Sequence, residues 1–467
     1  MIKSQIKYNQ YDKVMRFYLS RENACILDGE NTSSKLSRYS YLADLPFARL
    51  VLTQNKLLWN EESMDISCFW DLLDEKLEEY VLPVNSDLPP FYGGVMGWFS
   101  YGLVKNLESY PGINQNKEQE PLVSLAWYDV VVVFDHFLKK AWVFSSGFPE
   151  KNLTHRKLRA QERLNQVLEQ ISRSDQELEA VVANSLGDLK QSYDEDEYIS
   201  MVEKAQEYIR SGDVFEVNLS LQYSMSVDES LQPGLVYQQL RAMNPAPFSC
   251  FIRHGEYSLI SSSPELFLKK NQDNISAHPI KGTIKRKDSF VEDQFQKSTL
   301  SNSEKDRAEN IMIVDLMRND LSKVCSPYSI KVPKLCQIET FETVHHLVSI
   351  ITGCLEKNIK ISQIIQACFP GGSITGAPKT RAMEIIDELE NYDRGLYCGS
   401  AGYIGFNGNM ELSILIRSIV MDNDTLKFSA GGAITLDSDP KSEYEESLLK
   451  AKAIISTLER VRDGSHH

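Results

Sequence analysis

The stretch "DVFEVNLSLQ", residues 213–222, alternates apolar and polar side chains from its third residue onward. Because successive side chains of a β-strand point to opposite faces, this alternation predicts a strand with two different faces. The predicted apolar face carries Phe215, Val217, Leu219 and Leu221, and the polar face carries Glu216, Asn218 and Ser220. Apolar residues at helical spacing over 198–209 precede the strand, and Gly212 marks the predicted end of that helix.

Further strands and helices are predicted downstream, in clusters rather than in regular βαβ alternation. The predicted strands span 257–262, 265–269, 401–406, 411–420 and 425–430, and the predicted helices span 304–318, 361–368, 378–389 and 440–461. This arrangement favours an α+β fold with largely antiparallel sheets over a doubly wound parallel sheet. A polar passage over residues 155–195 is the best candidate for a boundary within the chain.

Composition restricts the classes of protein to which the chain can belong. Of its 467 residues, 42% are hydrophobic and 25% charged, which is ordinary for a soluble globular protein. The formal charge of −15 argues against a general nucleic-acid binder. No run of about 18 apolar residues is present, so no membrane span is predicted, and the polar N-terminus does not look like a secretory signal. The eight cysteines are scattered without a CxxC pair, which fits a reducing cytoplasm. Residues 464–467, Gly-Ser-His-His, are typical of a purification-tag remnant.

Two predicted helices carry acidic residues at spacings that suit a metal. Asp306 and Glu309 share a face near the start of one helix. Glu443, Glu446 and Lys450 fall at i, i+3 and i+7 on one face of the last helix. Carboxylates from two helices would suit Mg²⁺, which takes oxygen ligands and often completes its shell with an anionic substrate. The alternative is that Asp306 and Glu309 lie in the solvated first turn of their helix, where acids are favoured, and that Glu443 and Glu446 are surface acids with Lys450 as an ion-pair partner.

Single polar residues in apolar or glycine-rich surroundings are further candidates. Lys281, in "AHPIKGTIKR", is either ordinary surface charge or a reactive amine. Glu265, in "SSSPELFL", would have a raised pKa in a dry cleft and is otherwise a strand-edge charge. Arg417, in an apolar strand, needs a partner such as a carboxylate. The glycines of "FPGGSITGAPK" and "SAGGAI" either bring backbone amides to an anion or permit a helix cap and a bulge.

Taken together, these segments resemble the chorismate-utilising enzymes, a family that includes anthranilate, aminodeoxychorismate, isochorismate and salicylate synthases. The matching segments, in family order, are "SSSPELF", "PIKGT", "KDRAENIMIVDLMRND", "VHHLVS", "FPGGSITGAPK", "YCGSAGYIGF", "IRS", "SAGGAI" and "YEESLLKAKA". The resemblance implies two large, mostly antiparallel β-sheets packed as a sandwich with helices outside. It also implies an N-terminal region over 1–185 and a chorismate-binding catalytic region over 190–462.

Two positions distinguish the activities within this family. Lys281 stands in "PIKGT", which is similar to the members that aminate chorismate at C4, whereas anthranilate and isochorismate synthases usually have "PIAGT". Asn218 stands where isochorismate- and salicylate-forming members carry a lysine that activates water. Both positions therefore indicate formation of 4-amino-4-deoxychorismate, which leads to 4-aminobenzoate and folate. The alternatives are an anthranilate-forming enzyme and a non-catalytic subunit that binds chorismate or tryptophan.

The resemblance also implies a role for each residue. Lys281 would attack ring C2 of chorismate as a neutral amine while Glu265 protonates the departing C4 hydroxyl, and ammonia would then displace the lysine. Burial or a nearby cation should lower the pKa of Lys281. The ligands implied for Mg²⁺ are Glu309 and Glu446, assisted by Glu443 and Asp306. The substrate-binding residues implied are Asn218, Gly282, Thr283, His346, Tyr397, Arg417, Gly431 and Lys450.

The source of ammonia is predicted to lie outside the chain. No cysteine has the Gly-x-Cys-x-Gly context of a glutaminase nucleophile, so the resemblance implies a separate glutamine amidotransferase subunit. A separate pyridoxal-phosphate lyase is implied for the release of pyruvate. In related enzymes the segment equivalent to "LSRYS" can line a tryptophan pocket, which makes Arg38, Tyr39 and Ser40 candidates; a plain strand and turn is the alternative.

Overall fold

The computed structural model describes residues 1–29, 36–106, 120–173, 186–341 and 344–463, so the predicted tag remnant lies outside the described residues. The strands are β1 (Ile2–Ile6), β2 (Cys25–Asp28), β3 (Tyr39–Ala43), β4 (Ala48–Leu52), β5 (Leu57–Trp59), β6 (Glu62–Met64), β7 (Gly94–Phe99), β8 (Val123–Tyr128), β9 (Val130–Asp135), β10 (Lys140–Ser145), β11 (Lys190–Gln191), β12 (Glu216–Ser226), β13 (Phe248–His254), β14 (Tyr257–Ser263), β15 (Leu266–Asn271), β16 (Asn274–His278), β17 (Ile280–Lys285), β18 (Lys331–Thr340), β19 (Val344–Cys354), β20 (Gly376–Ala377), β21 (Ser400–Gly405), β22 (Met410–Ile414), β23 (Ser418–Met421) and β24 (Thr425–Ile434). The helices are α1 (Tyr11–Leu19), α2 (Phe69–Glu78), α3 (Leu153–Arg173), α4 (Glu195–Arg210), α5 (Pro233–Met243), α6 (Phe290–Ser301), α7 (Glu304–Ser322), α8 (Ile361–Cys368), α9 (Lys379–Leu389) and α10 (Pro440–Arg462).

These strands form two 12-stranded sheets. The first has the order β1-β10-β9-β3-β2-β13-β14-β23-β24-β12-β11, with β20 paired to β12. The second has the order β17-β19-β16-β15-β22-β21-β7-β8-β4-β5-β6, with β18 paired to β19. The α+β prediction with two large antiparallel sheets is confirmed. Each sheet takes strands from both sides of the boundary predicted between residues 185 and 190, and the division into two regions stays a prediction.

Two apolar cores separate the layers. One lies between the sheets, where Tyr41 of β3 meets Tyr403 of β21 with ring centroids 5.4 Å apart. The other lies between the first sheet and helices that include α1, α4, α5 and α10. Helix α10 contributes Ala451, Ile454 and Leu458 to it. No helix in the described ranges is both long enough and apolar enough to cross a membrane.

The strand that was predicted from "DVFEVNLSLQ" differs from the prediction in one respect. β12 begins at Glu216, and Phe215 lies just before it and is 71% exposed, so its assignment to the apolar face of the strand was wrong. The residues on both faces of the following stretch are buried, because the apolar face packs in the core beneath the helices and the polar face meets Lys281 and the Glu390–Arg394 segment. The polar face is therefore an internal surface and not a solvated one.

Helix termini agree with the predicted caps. The Ser303 hydroxyl accepts a hydrogen bond from the backbone N–H of Asp306 at 3.3 Å, which starts α7. Asp439 caps α10 in the same way, with Pro440 as the first helical residue. These caps place the acidic residues of the two helices near their N-terminal ends, where the backbone dipole favours negative charge.

A buried ion pair holds the end of α9 against β12. The Arg394 Nη2 and Glu390 Oε1 atoms are 2.7 Å apart, and both side chains are almost fully buried. Glu390 also accepts hydrogen bonds from the N–H and hydroxyl of Ser220, and Arg394 donates to the carbonyls of Asn218 and Ile374.

Replacing Arg394 with methionine is expected to lower the free energy of unfolding by about 3–5 kcal/mol, because Glu390 would remain buried without its counter-ion. Urea denaturation followed by fluorescence measures this change. The matched control is Arg173→Met, which breaks an exposed pair with Glu169 at the same i,i+4 spacing. That control is expected to change the unfolding free energy by less than about 0.5 kcal/mol. Equal effects for the two variants would contradict the prediction.

Candidate active site

Lys281 lies inside the protein, so its interpretation as ordinary surface charge is wrong. It sits in β17 with 8% of its surface exposed, and its Nζ donates a hydrogen bond to Glu216 Oε1 at 2.6 Å. Glu216 is fully buried as the first residue of β12. Sequence analysis missed Glu216 as a site residue, although the alternation of "DVFEVNLSLQ" had placed it on the same face as Asn218.

The electrostatic surroundings of Lys281 differ from the prediction. Burial lowers the pKa of its ammonium, but the carboxylates of Glu216, Glu309 and Glu265 outweigh burial and raise that pKa above its ordinary value. The expectation of a lowered pKa was wrong, because it took account of burial and nearby cations but not of acids from distant strands and helices. In this state the lysine is therefore a protonated ammonium held by Glu216.

Glu265 has the protonation behaviour of a general acid. It lies between β14 and β15 and is 4% exposed. Burial raises its pKa to about 7, although the hydrogen bond from the Ser373 hydroxyl at 2.6 Å, the Ile280 amide and the charge of Lys281 oppose the shift. A carboxyl group with that pKa is partly protonated near neutral pH and can donate its proton.

The glycine-rich segment before α9 serves Glu265 and Glu216. Ser373, within the segment, donates its hydroxyl to Glu265. Gly376 has a φ of +139° and pairs with β12, where an added Cβ would lie 2.2 Å from the backbone oxygen of Glu216. Only glycine allows this approach. The segment thus positions two carboxyl groups of the site, while Pro378 is the N-cap of α9.

Helix α7 approaches Lys281 through the next residue of β17. Gly282 has a φ of +82°, and a Cβ there would lie 2.9 Å from the Asp306 carboxyl group. One turn further along α7, burial raises the pKa of Glu309 to about 7, opposed by the charge of Lys281. The "PIKGT" and "KDRAEN" segments therefore lie next to each other in the fold.

The acids of α10 lie beside the glycines of β24. The Glu443 Oε1 accepts hydrogen bonds from Ser438 at 2.7 Å and from Lys305 of α7 at 3.3 Å. Glu446 pairs with Lys450 at 2.7 Å, and Lys450 also donates to the Gly431 carbonyl at 2.9 Å. Burial lowers the pKa of Lys305, but the charges of Glu443, Glu309 and Glu446, with the hydrogen bond to Glu443, outweigh burial and raise that pKa. Lys305 thus lies among the predicted magnesium ligands, and no group of three or more potential ligands forms a metal site within the described ranges.

A second part of the site is formed by the polar side chains of Thr283 and His346. The Thr283 hydroxyl and His346 Nδ1 are 2.7 Å apart, on neighbouring strands β17 and β19. Burial lowers the pKa of His346 to about 3, and the charge of Arg417 contributes to this shift. His346 is therefore neutral at physiological pH.

Arg417 adopts a conformation that the sequence did not predict. The strand predicted over 411–420 is interrupted, and Arg417 lies between β22 and β23 with a φ of +52°. Burial lowers the pKa of its guanidinium. Within the described ranges no ion pair or side-chain hydrogen bond satisfies it, so the expected carboxylate is not supplied by the chain there. A half-buried guanidinium of this kind can form charge-assisted hydrogen bonds with an anionic ligand.

Tyr397 and Asn218 belong to the neighbouring buried network. The Tyr397 ring lies 5.8 Å from the guanidinium carbon of Arg394, and no hydrogen bond joins it to Arg417 among the described residues. The side-chain oxygen of Asn218 is buried and has no hydrogen-bond partner in the described part of the chain, and its side chain shares the Glu216 face of β12. An unpaired buried amide oxygen can accept a hydrogen bond from a ligand.

The predicted tryptophan-pocket residues lie at a separate cavity of about 220 Å³. Arg38 and Tyr39 line it, together with Lys269 and Glu411. Ser40 is not among the lining residues, since its hydroxyl is fully buried and hydrogen-bonded to Asp28 and His136.

The chain is similar to proteins of known family. Residues 23–456 match the family of chorismate binding enzymes. The chain is 36% identical to aminodeoxychorismate synthase component 1 of Escherichia coli K12, over 95% of this chain and 96% of the relative. It is 34% identical to anthranilate synthase component 1 of Aquifex aeolicus, over 83% and 78% of the two chains. The crystal structure of anthranilate synthase component I from Streptococcus pneumoniae TIGR4 superposes with a TM-score of 0.78 at 30% identity, covering 89% of this chain and 92% of that chain. The chain therefore belongs to the chorismate-binding enzyme family.

Proposed function

We propose that this chain combines chorismate with ammonia to form 4-amino-4-deoxychorismate for the synthesis of 4-aminobenzoate and folate. The observation that carries the proposal is the buried Lys281 amine, 2.6 Å from Glu216 and under the electrostatic influence of the protonatable Glu265. The relatives include both aminodeoxychorismate and anthranilate synthases at similar identity, so identity alone does not choose between them. The buried Lys281 favours the aminodeoxychorismate reaction, because it supplies a nucleophile that an anthranilate-forming reaction does not need.

The proposed reaction consists of two displacements. The Lys281 amine attacks ring C2, the ring double bond shifts, and the C4 hydroxyl leaves as water with the proton of Glu265. Ammonia then attacks C4, the double bond shifts back, and the lysine leaves from C2. Because each displacement moves the reacting position between C2 and C4 through the two conjugated double bonds of the ring, nitrogen ends at C4. Direct attack of ammonia at C2 would give the anthranilate pattern instead.

Arg417, which has no ion-pair partner within the described ranges, suits the enolpyruvyl carboxylate of chorismate, and the polar groups beside it suit the ring. Arg417 would pair with a carboxylate, and Thr283 and His346 would orient the ring from β17 and β19. Asn218 has no group that can deprotonate water, which favours amination over hydration. We assign supporting substrate contacts to Gly282, Tyr397, Gly431 and Lys450.

Mg²⁺ is part of the proposal. Glu309 suits such an ion because burial and the nearby charges of Glu216 and Asp306 raise its pKa to about 7, in spite of the charges of Lys281 and Lys305, and a bound cation would stabilise its anion. Glu309 and Glu446 as the two protein ligands would leave positions for water and substrate, with Glu443 and Asp306 in support. The bound ion would neutralise the ring carboxylate and draw electron density toward it.

The remaining parts of the proposal concern partners and regulation. The designation "component 1" of the Escherichia coli relative supports a second component, which we propose to be a glutamine amidotransferase that delivers ammonia. The cavity lined by Arg38 and Tyr39 is proposed to take an amino acid such as tryptophan. We place the reaction in the cytoplasm.

The identity of the product tests the proposed function. The protein is incubated with chorismate, Mg²⁺ and ammonium, and products are separated by chromatography with mass detection. We expect 4-amino-4-deoxychorismate, which a pyridoxal-phosphate lyase converts to 4-aminobenzoate. Fluorescent anthranilate formed without a lyase would show an anthranilate synthase, and absence of turnover at saturating chorismate and ammonia would favour a non-catalytic binding subunit.

Replacing Arg417 with methionine is expected to weaken chorismate binding about 10- to 100-fold, because a charge-assisted hydrogen bond contributes about 1.5–3 kcal/mol. Isothermal titration calorimetry measures the dissociation constant in a Lys281→Arg background, in which no covalent adduct is expected. Arg318→Met is the matched control, since Arg318 is an exposed residue of α7 that pairs with Asp315. Unchanged affinity in the Arg417 variant would show that the guanidinium does not bind the substrate.

A further inference from the structure

Burial, a hydrogen bond and backbone pairing fix the position of Glu216 beside Lys281. Glu216 is fully buried, and its Oε1 accepts the lysine proton at 2.6 Å. The backbone of Glu216 pairs with Ala377 of β20, in the segment where Gly376 permits close contact. The second carboxylate oxygen, Oε2, is buried and has no hydrogen-bond partner in the described part of the chain. Glu216 therefore retains a free acceptor oxygen next to the nucleophile.

The proposed reaction needs a proton acceptor beside the Lys281 nitrogen. Lys281 is held as an ammonium and attacks only after it loses a proton. Glu265 must be protonated to release the hydroxyl, so it cannot accept the lysine proton in the same step. The other charged groups that interact with this pair are Glu309 of α7 and Glu446 of α10, while the Glu390–Arg394 pair lies further along β12, behind Asn218 and Ser220. Among the described residues, Glu216 alone forms a hydrogen bond with the Lys281 nitrogen.

We propose that Glu216 is the proton acceptor of Lys281, which it holds as an ammonium at rest and deprotonates for attack. The proposal rests on the covalent route above. In the first displacement, the ammonium gives one proton to Glu216, the amine nitrogen bonds to C2, and the C4–oxygen bond breaks with the proton of Glu265 to give water. In the second, ammonia bonds to C4 and loses one proton to Glu265, the lysine–C2 bond breaks, and Glu216 returns its proton to the lysine. Both carboxyl groups and the lysine are then restored.

A first experiment needs no substrate. Competitive acetylation with acetic anhydride, followed by peptide mass spectrometry, measures how the reactivity of Lys281 depends on pH. In Glu216→Gln the midpoint of that dependence is expected to fall, because the amide removes the negative charge that holds the proton. Exposed Lys357 serves as the internal standard. An unchanged midpoint would overturn the proposal whether or not chorismate is the substrate.

A second experiment measures formation of the chorismate adduct without ammonia, by quenching and intact-protein mass. Because the proton moves within the pair, the wild-type rate is expected to be independent of pH below about 7, where Glu265 is protonated. In Glu216→Gln the proton must leave to solvent, so the rate is expected to fall and to rise about tenfold per pH unit. Glu216→Asp keeps the acceptor and should restore the pH-independent limb at a lower rate.

The outcomes of the two experiments separate the proposals. A wild-type protein that forms no adduct contradicts the proposed function, while acetylation still decides the role of Glu216. A normal adduct rate with wild-type pH dependence in Glu216→Gln contradicts the role of Glu216 and leaves the proposed function intact. Circular dichroism of each variant identifies any loss of folding. If Glu216→Gln does not fold, Glu216→Asp is compared with the wild type instead.

Discussion

Replacing Lys281 with alanine is expected to reduce formation of 4-amino-4-deoxychorismate by about a thousandfold or more and to abolish the covalent adduct. The amine is the proposed nucleophile, and removal of a nucleophile has effects of that size or larger in other enzymes. The amount of product formed from chorismate and ammonium measures the rate. The mass of the intact protein, quenched with chorismate in the absence of ammonia, measures the adduct.

A second variant separates loss of the nucleophile from loss of folding. Lys281→Ala leaves Glu216 buried without its counter-ion, and that costs about 3–5 kcal/mol of stability. Lys281→Arg keeps a cation beside Glu216, but a guanidinium does not become a neutral amine at accessible pH. We therefore expect Lys281→Arg to be folded and equally inactive. An adduct that persists in either variant would show that the substrate is attached to another residue.

Replacing Glu265 with glutamine is expected to slow adduct formation by about a hundredfold to ten-thousandfold, the usual contribution of a general acid. The wild-type rate should fall as pH rises through about 7, because the protonated form of Glu265 is then lost. The glutamine variant has no proton to lose and should show no such fall. Rapid-quench measurements across this pH range test both expectations.

Ser373 provides the matched control for this pH dependence. Its hydroxyl donates to Glu265 at 2.6 Å and favours the ionised carboxylate, so it opposes the upward pKa shift caused by burial. Ser373→Ala is therefore expected to raise the pKa of Glu265 and to move the fall in rate to higher pH. If the rate falls at the same pH in Ser373→Ala as in the wild type, and also falls in Glu265→Gln, the titrating group is not Glu265.

The sequence predicted those features that depend on local spacing. The alternation after Phe215 predicted β12, the caps at Ser303 and Asp439 predicted the starts of α7 and α10, and the order of the segments predicted the α+β fold. These features follow from the periodicity of strands and helices and from the hydrogen-bonding needs of helix termini, and neighbouring residues supply both.

Charge and conformation at the site were decided by tertiary structure. Arg417 has a left-handed backbone conformation inside the segment 411–420, which was predicted to be a single strand. Lys305 lies among the acids proposed to bind Mg²⁺. The predicted pKa direction of Lys281 was wrong because its partner Glu216 lies 65 residues away in the sequence. The sequence by itself determined which residue types were present and on which strand faces they lay. Only the fold decided which charges face one another at hydrogen-bond distance, because a pKa depends on distances in space and on burial, to which sequence separation is no guide.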